Sequence, residues 1–333
     1  MTAKTVLFHE LGGPEVMRLE DAEVGEPGPG EVRLRVDAIG LNRAEVLFRT
    51  GRYIEPVKRF PARLGNEAAG VVEAAGDDVT GFRPGDAVGV VPMFSQNDYG
   101  VYAERAIVPA AALVPAPEGL GAVEGAAVWM AYITAYGGLA EVGGIRPGDT
   151  VVLNAASSSV GLAAIAVAGR IGARPIAVTR TAAKKQALLA AGAAEVIVSD
   201  SEDVTGRILA ATGGRGAELV FDAVAGPGVR ELASVVAPGG TLMLYGALSG
   251  KETPYPGFEL GMPPLNMRTY TIRETARQPE RLRRAVAFVT SGLRSGAFRP
   301  VVDRTFDLGD IVEAHHHLES NAQIGKIVVT VAH

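Results

Sequence analysis

Residues 150–161 read Thr-Val-Val-Leu-Asn-Ala-Ala-Ser-Ser-Ser-Val-Gly, and their pattern is the strongest indication of the fold. Its apolar start predicts a buried strand over 150–154, and the small apolar residues that follow predict a helix over 160–171. Between them lies a turn of tiny side chains. A strand, a tight turn and a helix in this order are typical of a unit that binds a dinucleotide, with its pyrophosphate at the helix N-terminus.

The turn matches the phosphate-binding pattern G-x-G-x-x-G only in part. Ala156 takes the first position, Ser158 the second and Gly161 the third, so one glycine is kept. Small residues still occupy every crowded position, and serine hydroxyls can donate hydrogen bonds to phosphate oxygens. We predict that the following residues contact a cofactor: Ala156, Ser157, Ser158, Ser159, Val160 and Gly161. A serine-rich helix cap without a ligand is the alternative interpretation.

Strand-like and helix-like segments alternate after this turn. Further strands are predicted over 175–179, 196–198, 219–222 and 241–245, with helices over 182–191, 203–212 and 228–237. This alternation is typical of a doubly wound parallel sheet, so the predicted fold class is α/β. Helical spacing over 125–142 precedes the alternation, and the pattern becomes irregular after about residue 265.

The first third of the chain has a different, β-rich character. Residues 32–36 alternate apolar and polar side chains, as a half-buried strand does, and only brief helices such as 43–48 fit here. Near the C-terminus, a helix is predicted over 309–319 and a strand over 326–331. The changes of character near 124 and 265 indicate domain boundaries, and 333 residues suffice for two domains at roughly 100–200 residues each.

Composition limits the classes of function. The chain has 37 acidic and 32 basic side chains, a formal charge of −5 and no basic block, which argues against nucleic acid as a partner. It has no cysteine, which excludes disulfides and Cys-containing zinc sites. The first residues are too charged for a signal peptide, and the longest uncharged stretch, 150–169, carries Asn154 and three serines at its middle. We therefore expect a cytoplasmic protein with no membrane partner.

The end of the second predicted strand indicates which nucleotide is bound. NAD sites usually place an Asp or Glu there, about 20 residues after the turn, to bind the ribose 2′-hydroxyl. This sequence instead has Thr179 and Arg180, with Lys184 one helical turn beyond and no acidic residue. Arg180 can bind a 2′-phosphate through two hydrogen bonds, and Thr179 and Lys184 can add contacts. The segment predicts NADPH rather than NADH, with a solvated basic helix start as the alternative.

Several motifs, in order along nearly the whole chain, carry a family resemblance. They are Ala38-Ile-Gly-Leu-Asn42, Arg49-Thr-Gly-Arg-Tyr53, Leu64-Gly-Asn-Glu-Ala-Ala-Gly-Val-Val72, Arg83-Pro-Gly-Asp-Ala-Val88, Thr134-Ala-Tyr136, Gly239-Gly-Thr-Leu242 and Gly325-Lys-Ile-Val-Val329. The chain resembles zinc-independent medium-chain dehydrogenases/reductases of the quinone oxidoreductase (zeta-crystallin-like) branch. The resemblance implies a GroES-like β-rich catalytic domain plus a Rossmann-type coenzyme domain with a doubly wound parallel sheet. The corresponding ranges are 1–124 with 266–333 for the first domain and 125–265 for the second.

The resemblance also bears on metal binding. Zinc-dependent relatives hold a catalytic metal with Cys, His and Cys, and the aligned positions here are Asn42, Asn66 and Met130. None of these is a good zinc ligand. Residues 315–317 are all histidine, but successive helical residues point about 100° apart and cannot converge on one ion. We therefore predict no metal and a reaction that proceeds without zinc.

The same resemblance assigns candidate catalytic residues. Tyr53 lies eleven residues after Asn42, the spacing found in related 2-enoyl-thioester reductases, where this Tyr is the proposed acid. Asn42 resembles the residue near the nicotinamide and the substrate oxygen, to which its amide can donate. The alternatives are that Tyr53 only walls the pocket, and that Asn42 only satisfies backbone groups of a turn.

Further cofactor contacts are implied by resemblance alone. Thr134 resembles the residue whose hydroxyl approaches the nicotinamide, and Lys326 resembles a basic residue near the cofactor. The segment Gly246, Ala247 and Leu248 follows a predicted strand that ends beside the nicotinamide, where glycine permits close backbone approach. An ordinary turn for Gly246 and a solvated charge for Lys326 are the alternatives.

These residues predict an NADPH-dependent reductase of quinones or activated α,β-unsaturated carbonyl compounds. A 2-enoyl-thioester reductase is the first alternative, because Arg43, Arg49, Arg52 and Lys58 surround Tyr53 in sequence and suit a phosphopantetheine arm. A non-catalytic NADPH-binding protein, like relatives that serve as lens crystallins, is the second. The expected partner is a small-molecule substrate, and the resemblance implies a homodimer.

Overall fold

The computed structural model describes residues 1–333, apart from the side chain of Glu259. The chain forms two compact units, the first made of Met1–Met130 with Pro300–His333 and the second of Ala131–Arg299. One unit is β-rich and the other contains a parallel sheet flanked by helices, as the sequence predicts.

The N-terminal part of the first unit is built on antiparallel strands. Its elements are β1 (Thr2–Phe8), β2 (Met17–Glu23), β3 (Glu31–Gly40), α1 (Arg43–Arg49), β4 (Ala62–Arg63), β5 (Ala68–Ala75), β6 (Ala87–Val90), β7 (Arg105–Pro109), β8 (Leu113–Pro115) and α2 (Ala122–Gly125). Strands β2, β1 and β4 form one sheet, while β3 pairs with β5 and β7 in a larger one. Burial alternates along β3, which confirms the half-buried strand predicted over 32–36.

The second unit contains the predicted α/β alternation. Its elements are α3 (Trp129–Tyr136, from just before the boundary), β9 (Thr150–Leu153), α4 (Ser159–Ile171), β10 (Arg174–Thr179), α5 (Lys185–Ala190), β11 (Glu195–Val198), α6 (Val204–Ala211), β12 (Ala217–Asp222), α7 (Val229–Ala233), β13 (Val236–Leu244), β14 (Asn266–Thr269), α8 (Arg273–Ala276) and α9 (Pro279–Arg294). The strands are parallel and lie in the order β11-β10-β9-β12-β13-β14. The order reverses between β9 and β12, and ligands of such sheets bind at the carboxyl ends of the strands at this point.

The uncharged stretch 150–169 forms β9, the turn and most of α4. Across the part of the chain that the structure describes, no helix combines the length and the apolar character that a bilayer crossing needs.

The domain boundaries of the structure differ from the predicted ones. The second unit begins at Ala131 rather than 125, and it ends at Arg299 rather than 265. The larger difference arises because β14 adds to the parallel sheet beside β13, and because α9 is tied to the same unit. Arg170 at the end of α4, for example, donates hydrogen bonds to Ser291 and Ser295, which hold α9 in place.

The chain then returns to the first unit. It forms β15 (Val302–Asp307), α10 (Ile311–Ser320) and β16 (Lys326–Thr330), close to the helix and strand predicted there. Strand β16 pairs antiparallel with β3, so that Val329 lies opposite Ile39. This pairing brings residues near the C-terminus to the end of β3, where α1 begins.

Candidate functional site

The turn between β9 and α4 has the shape of a phosphate-binding turn. Ser158 is the N-cap of α4, and its Oγ accepts a hydrogen bond from Gly161 N over 3.1 Å. A Cβ on Gly161 would lie 2.4 Å from the Ala156 carbonyl oxygen, so only glycine lets the turn pack this closely on the helix. Ala156 is fully buried, whereas Ser157 and Ser159 are half-buried.

Lys184 meets this turn in space. Its Nζ donates to Ser157 Oγ over 3.3 Å, which joins the start of the helical segment after β10 to the turn after β9. Arg180, directly after β10, is exposed and has no ion pair within the described part of the chain, while Thr179 before it is buried. The segment 180–194 contains no acidic residue. The structure thus brings together Lys184 and Ser157, two of the predicted cofactor contacts. Their contact with the cofactor stays a prediction.

Asp222 organises the same sheet edge, and sequence reasoning missed it. Its carboxylate is fully buried and accepts hydrogen bonds from Asn154 Nδ2 at 3.0 Å, Val224 N at 2.8 Å and Ala225 N at 2.9 Å. Burial raises the pKa of the Asp222 carboxyl, although these donors oppose the change. Asn154 in turn accepts from the N–H of Ala155, which has a φ of 51°. The sequence signal that could have revealed this residue is an Asp at the end of the apolar run 219–222.

The segment after β13 packs against the chain that follows Asp222. Leu248 N donates to the Ala223 carbonyl oxygen over 3.1 Å, and a Cβ on Gly246 would lie 2.6 Å from the same oxygen. The Ala223 carbonyl group therefore leaves room only for glycine at position 246. Ala247 and Leu248 are exposed at this edge, and Thr134 is buried within α3.

In the first unit, the positions aligned with zinc ligands form part of a buried polar cluster. The Lys326 ammonium donates to Glu67 Oε2 and, over 2.6 Å, to Asn42 Oδ1. Glu67 Oε1 accepts from Met130 N over 2.8 Å. Lys326 is 1% exposed and Glu67 is 0% exposed, so the solvated-charge interpretation of Lys326 was wrong. Within the described residues, no group of three or more His, Cys, Asp or Glu side chains could hold a metal ion.

Asn42 uses its amide within the protein. The side-chain nitrogen donates to the Gly40 carbonyl oxygen over 3.0 Å and lies 3.4 Å from Glu67 Oε2, while its oxygen accepts from Lys326. Asn42 is the N-cap residue of α1 and is 8% exposed. This geometry agrees with the interpretation of Asn42 as a residue that satisfies neighbouring groups.

Glu45, in the first turn of α1, completes the buried cluster. Its carboxylate accepts from Asn42 N at 2.9 Å, Asn66 N at 3.1 Å and Asn66 Nδ2 at 2.9 Å. Burial raises the pKa of Glu45 to about 7, while the bonds from Asn66 and the charge of Lys326 act in the opposite direction. Asn66 is thus engaged by a carboxylate instead of facing an ion.

Tyr53 lies on the loop that follows α1. Its ring packs edge-to-face on Phe48, with centroids 6.2 Å apart, and it is half-buried against the apolar core. This packing agrees with a residue that lines the wall of a pocket.

Two of the four basic residues that lie near Tyr53 in sequence form hydrogen bonds with α10. The Arg49 side chain is fully buried and donates to the Gly12 carbonyl oxygen and to Glu319. Arg43 donates to the Leu318 carbonyl oxygen over 2.7 Å. Arg49 is therefore removed from the set that could bind a phosphopantetheine arm, whereas Arg52 and Lys58 are exposed.

The three histidines of α10 face different surroundings, as predicted. His315 is buried beside Tyr102, His316 pairs with Glu15, and His317 pairs with Asp303.

A β-rich unit and a doubly wound parallel sheet, with a tight glycine-containing turn at the start of α4, are the architecture typical of dehydrogenases/reductases. Two family models match the chain, "Alcohol dehydrogenase GroES-like domain" at residues 28–118 and "Zinc-binding dehydrogenase" at residues 159–291. The chain belongs to the zinc-independent quinone oxidoreductase family of medium-chain dehydrogenases/reductases. It is 33% identical to the quinone oxidoreductase of Pseudomonas aeruginosa over 98% of this chain and 99% of that protein.

Two other known proteins are similar over nearly the whole chain. The crystal structure of the Escherichia coli quinone oxidoreductase complexed with NADPH superposes with a TM-score of 0.91 at 27% identity, over 98% of this chain and 99% of that one. A phenolphthiocerol/phthiocerol polyketide synthase of Mycobacterium tuberculosis is 30% identical over 96% of this chain, which spans only 14% of that protein.

Proposed function

We propose that this chain is an NADPH-dependent reductase that transfers hydride to a quinone or an activated α,β-unsaturated carbonyl compound without zinc. The contact between Lys184 and Ser157, with Arg180 exposed in the same segment, carries the proposal. Cationic and hydroxyl donors of this kind bind phosphate oxygens strongly. The NADPH complex of the E. coli quinone oxidoreductase supports the same cofactor.

The residues at this edge fit the cofactor. The N-terminus of α4, where Gly161 packs closely on Ala156, would receive the pyrophosphate, and Arg180 would bind the 2′-phosphate. The segment 246–248 and Thr134 would hold the nicotinamide end. When bound, NADPH would supply a hydride from the nicotinamide ring.

A reaction without zinc follows from the donor set in the first unit. Asn42 and Asn66 present amides that Lys326 and Glu45 already engage, and amides are poor zinc ligands. Without a Lewis acid, an alkoxide has little stabilisation, so an already electrophilic conjugated carbonyl is the easier substrate. Oriented hydrogen-bond donors can then stabilise the negative charge that develops on the carbonyl oxygen of the substrate.

The proposed function is tested by cofactor binding and oxidation. We expect NADPH to bind at least about tenfold more tightly than NADH, and to be oxidised with quinones or enones in a substrate panel. Arg180→Ala should raise the Kd for NADPH by about tenfold or more and leave that for NADH unchanged. Arg283→Ala, an exposed arginine of α9, is the control. Equal affinity for the two cofactors would contradict the cofactor assignment.

We further propose that Tyr53 donates a proton from its hydroxyl to the reduced substrate. Tyr53→Phe should then lower the reduction rate at least about tenfold, because the ring still packs on Phe48 but the proton is gone. The Kd for NADPH and the thermal unfolding midpoint should stay unchanged and serve as controls. An unchanged rate on the preferred substrate would assign Tyr53 to the wall of the pocket.

A 2-enoyl-thioester reductase is the second candidate, favoured by the similarity to the polyketide synthase. The buried contacts of Arg49 weaken it, since this residue cannot serve a phosphopantetheine arm. Turnover with enoyl thioesters alone would support this candidate, and cofactor binding without any turnover would indicate a non-catalytic protein. The homodimer expected from the family resemblance stays a prediction.

A further inference from the structure

A cavity of about 270 Å³ lies within the first unit, and none of the residues that line it has a role in the proposed reduction or in cofactor binding. One wall is formed by β4 and the residues just before it, and another by residues 96–99. A cavity of 150 Å³ can hold benzene, so this one has room for a molecule of roughly ten non-hydrogen atoms. The side chains on its walls indicate which chemistry such a molecule would have.

Hydrogen bonds hold the backbone of these walls in place. The side-chain amide of Asn97 donates to the Pro56 carbonyl oxygen over 3.0 Å and accepts from Lys58 N over 2.8 Å. Strand β4 is paired with β1, so that Arg63 lies opposite Leu7. The walls are therefore fixed independently of any ligand.

Two arginines line the cavity without a carboxylate partner. Arg63 is half-buried and Arg59 is exposed, and neither guanidinium makes a hydrogen bond or an ion pair with any residue that the structure describes. Burial lowers the pKa of Arg63, and the positive charge of Arg59 acts in the same direction. A guanidinium that is partly removed from water beside a second positive charge is stabilised when an anion neutralises it.

The two carboxylates of the cavity do not supply that anion. Glu31 Oε1 accepts from the Tyr99 hydroxyl over 2.7 Å, and its Oε2 accepts from Gly28 N over 2.9 Å. Asp98 is exposed and forms no ion pair within the described part of the chain. The N–H groups of both arginines are therefore available to a molecule from solution.

Gln96 adds a further donor to the same cavity. The residue is 1% exposed, and its Oε1 accepts from Gly65 N over 3.0 Å, which sets the orientation of the amide. Its Nε2 is buried and has no hydrogen-bond partner among the described residues. An unpaired buried amide costs free energy, so a ligand oxygen that accepts from it would remove this cost.

We propose that this cavity binds a small molecule with a carboxylate or phosphate group, whose oxygens accept hydrogen bonds from Arg59, Arg63 and Gln96. The fork of a guanidinium matches the paired oxygens of both groups. The volume of the cavity limits the remainder of the molecule to a few atoms. The site lies within the first unit and needs no dinucleotide, so it is independent of the proposed function.

Nuclear magnetic resonance titrations of the isotope-labelled full chain test the site. The probes are benzoate and inorganic phosphate, and benzamide is the uncharged match of benzoate. We expect at least one anion to cause saturable shifts of the backbone amides of residues 62–65 and 96–99, and benzamide and sodium chloride to cause none. The anion that binds more tightly identifies the group that the ligand carries. Amides of residues 157–161 report separately on phosphate bound at the turn after β9.

Variants of the arginines test which side chains hold the anion. Arg63→Gln is expected to raise the Kd of that anion about tenfold or more, because a charged hydrogen-bond donor is lost. Arg59→Gln alters an exposed residue and should also raise the Kd, which keeps the proposal testable if Arg63→Gln does not fold. Arg83→Gln, at a side chain that is 88% exposed in the same unit, is the matched control and should bind like the wild type.

Three results would each overturn the proposal. They are the absence of a saturable shift with either anion, equal shifts with benzamide, and wild-type affinity in Arg63→Gln.

Discussion

Replacing Glu67 by Gln is expected to destabilise the protein by about 3–5 kcal/mol, because the Lys326 ammonium would lose its buried counter-charge. Both side chains are almost completely inaccessible to water, and Lys326 has Asn42 as its other partner. The substituted amide can still accept the Met130 N–H that Glu67 accepts in the wild type. The expected loss of stability therefore measures the cost of burying the Lys326 charge without a carboxylate partner. Urea unfolding at neutral pH measures the change.

A second substitution tests this cause. Lys326→Met removes the buried charge, so the double variant with Glu67→Gln should recover most of the lost stability. Glu280→Ala breaks an exposed ion pair with Arg283 and should change the free energy of unfolding by less than about 0.5 kcal/mol. A double variant as unstable as Glu67→Gln alone would show that the pair is not the source of the loss.

This ion pair also illustrates what the sequence could not reveal. Lys326 and Glu67 are 259 positions apart, and they meet because β16 and β5, the strands beside them, both pair with β3. Local spacing carries no information about such a contact. The resemblance placed Lys326 near a cofactor, but its burial and its partner depend on the return of the chain to the first unit. Asp222 shows the same limit, since its partner Asn154 follows another strand.

The elements that were predicted well have strong local signals. Strand β9, the serine turn and α4 follow from an apolar run, tiny residues and helical spacing, and their observed bounds differ little from the prediction. The sequence did not predict helix α9, because only a narrow face of this helix is buried. Ala285, Val289 and Gly292 are buried there among arginines and polar residues. Their spacing, with Pro279 in the first turn, was a weak helix signal.

Lowering the pH is expected to destabilise the folded protein strongly through His315. This side chain on α10 is completely buried, with Nε2 3.2 Å from the Tyr102 hydroxyl and no partner for Nδ1 within the described residues. Burial lowers the pKa of His315 to about 3, and the nearby charges of Arg49, Arg43 and His316 act in the same direction. The folded protein therefore keeps this imidazole neutral.

The sign of the pH dependence follows from proton binding. An unfolded chain protonates this histidine near pH 6.5, whereas the folded chain resists until about pH 3. Between these values the unfolded state binds more protons, so His315 lowers stability by about 1.4 kcal/mol for each pH unit below 6.5. Glu45 acts oppositely between about pH 4.5 and 7, since its folded pKa is raised and its protonation favours the folded state.

Comparison with His315→Gln isolates the histidine, because the contribution of Glu45 is common to both proteins. The variant has no group that titrates there, so its stability relative to the wild type should increase by about 2–3 kcal/mol between pH 6.5 and 4.5. Urea unfolding across this range measures the difference, and His316→Gln, which alters an exposed neighbour, should track the wild type. A constant offset between wild type and His315→Gln at every pH would mean that the folded protein accommodates the charged imidazole.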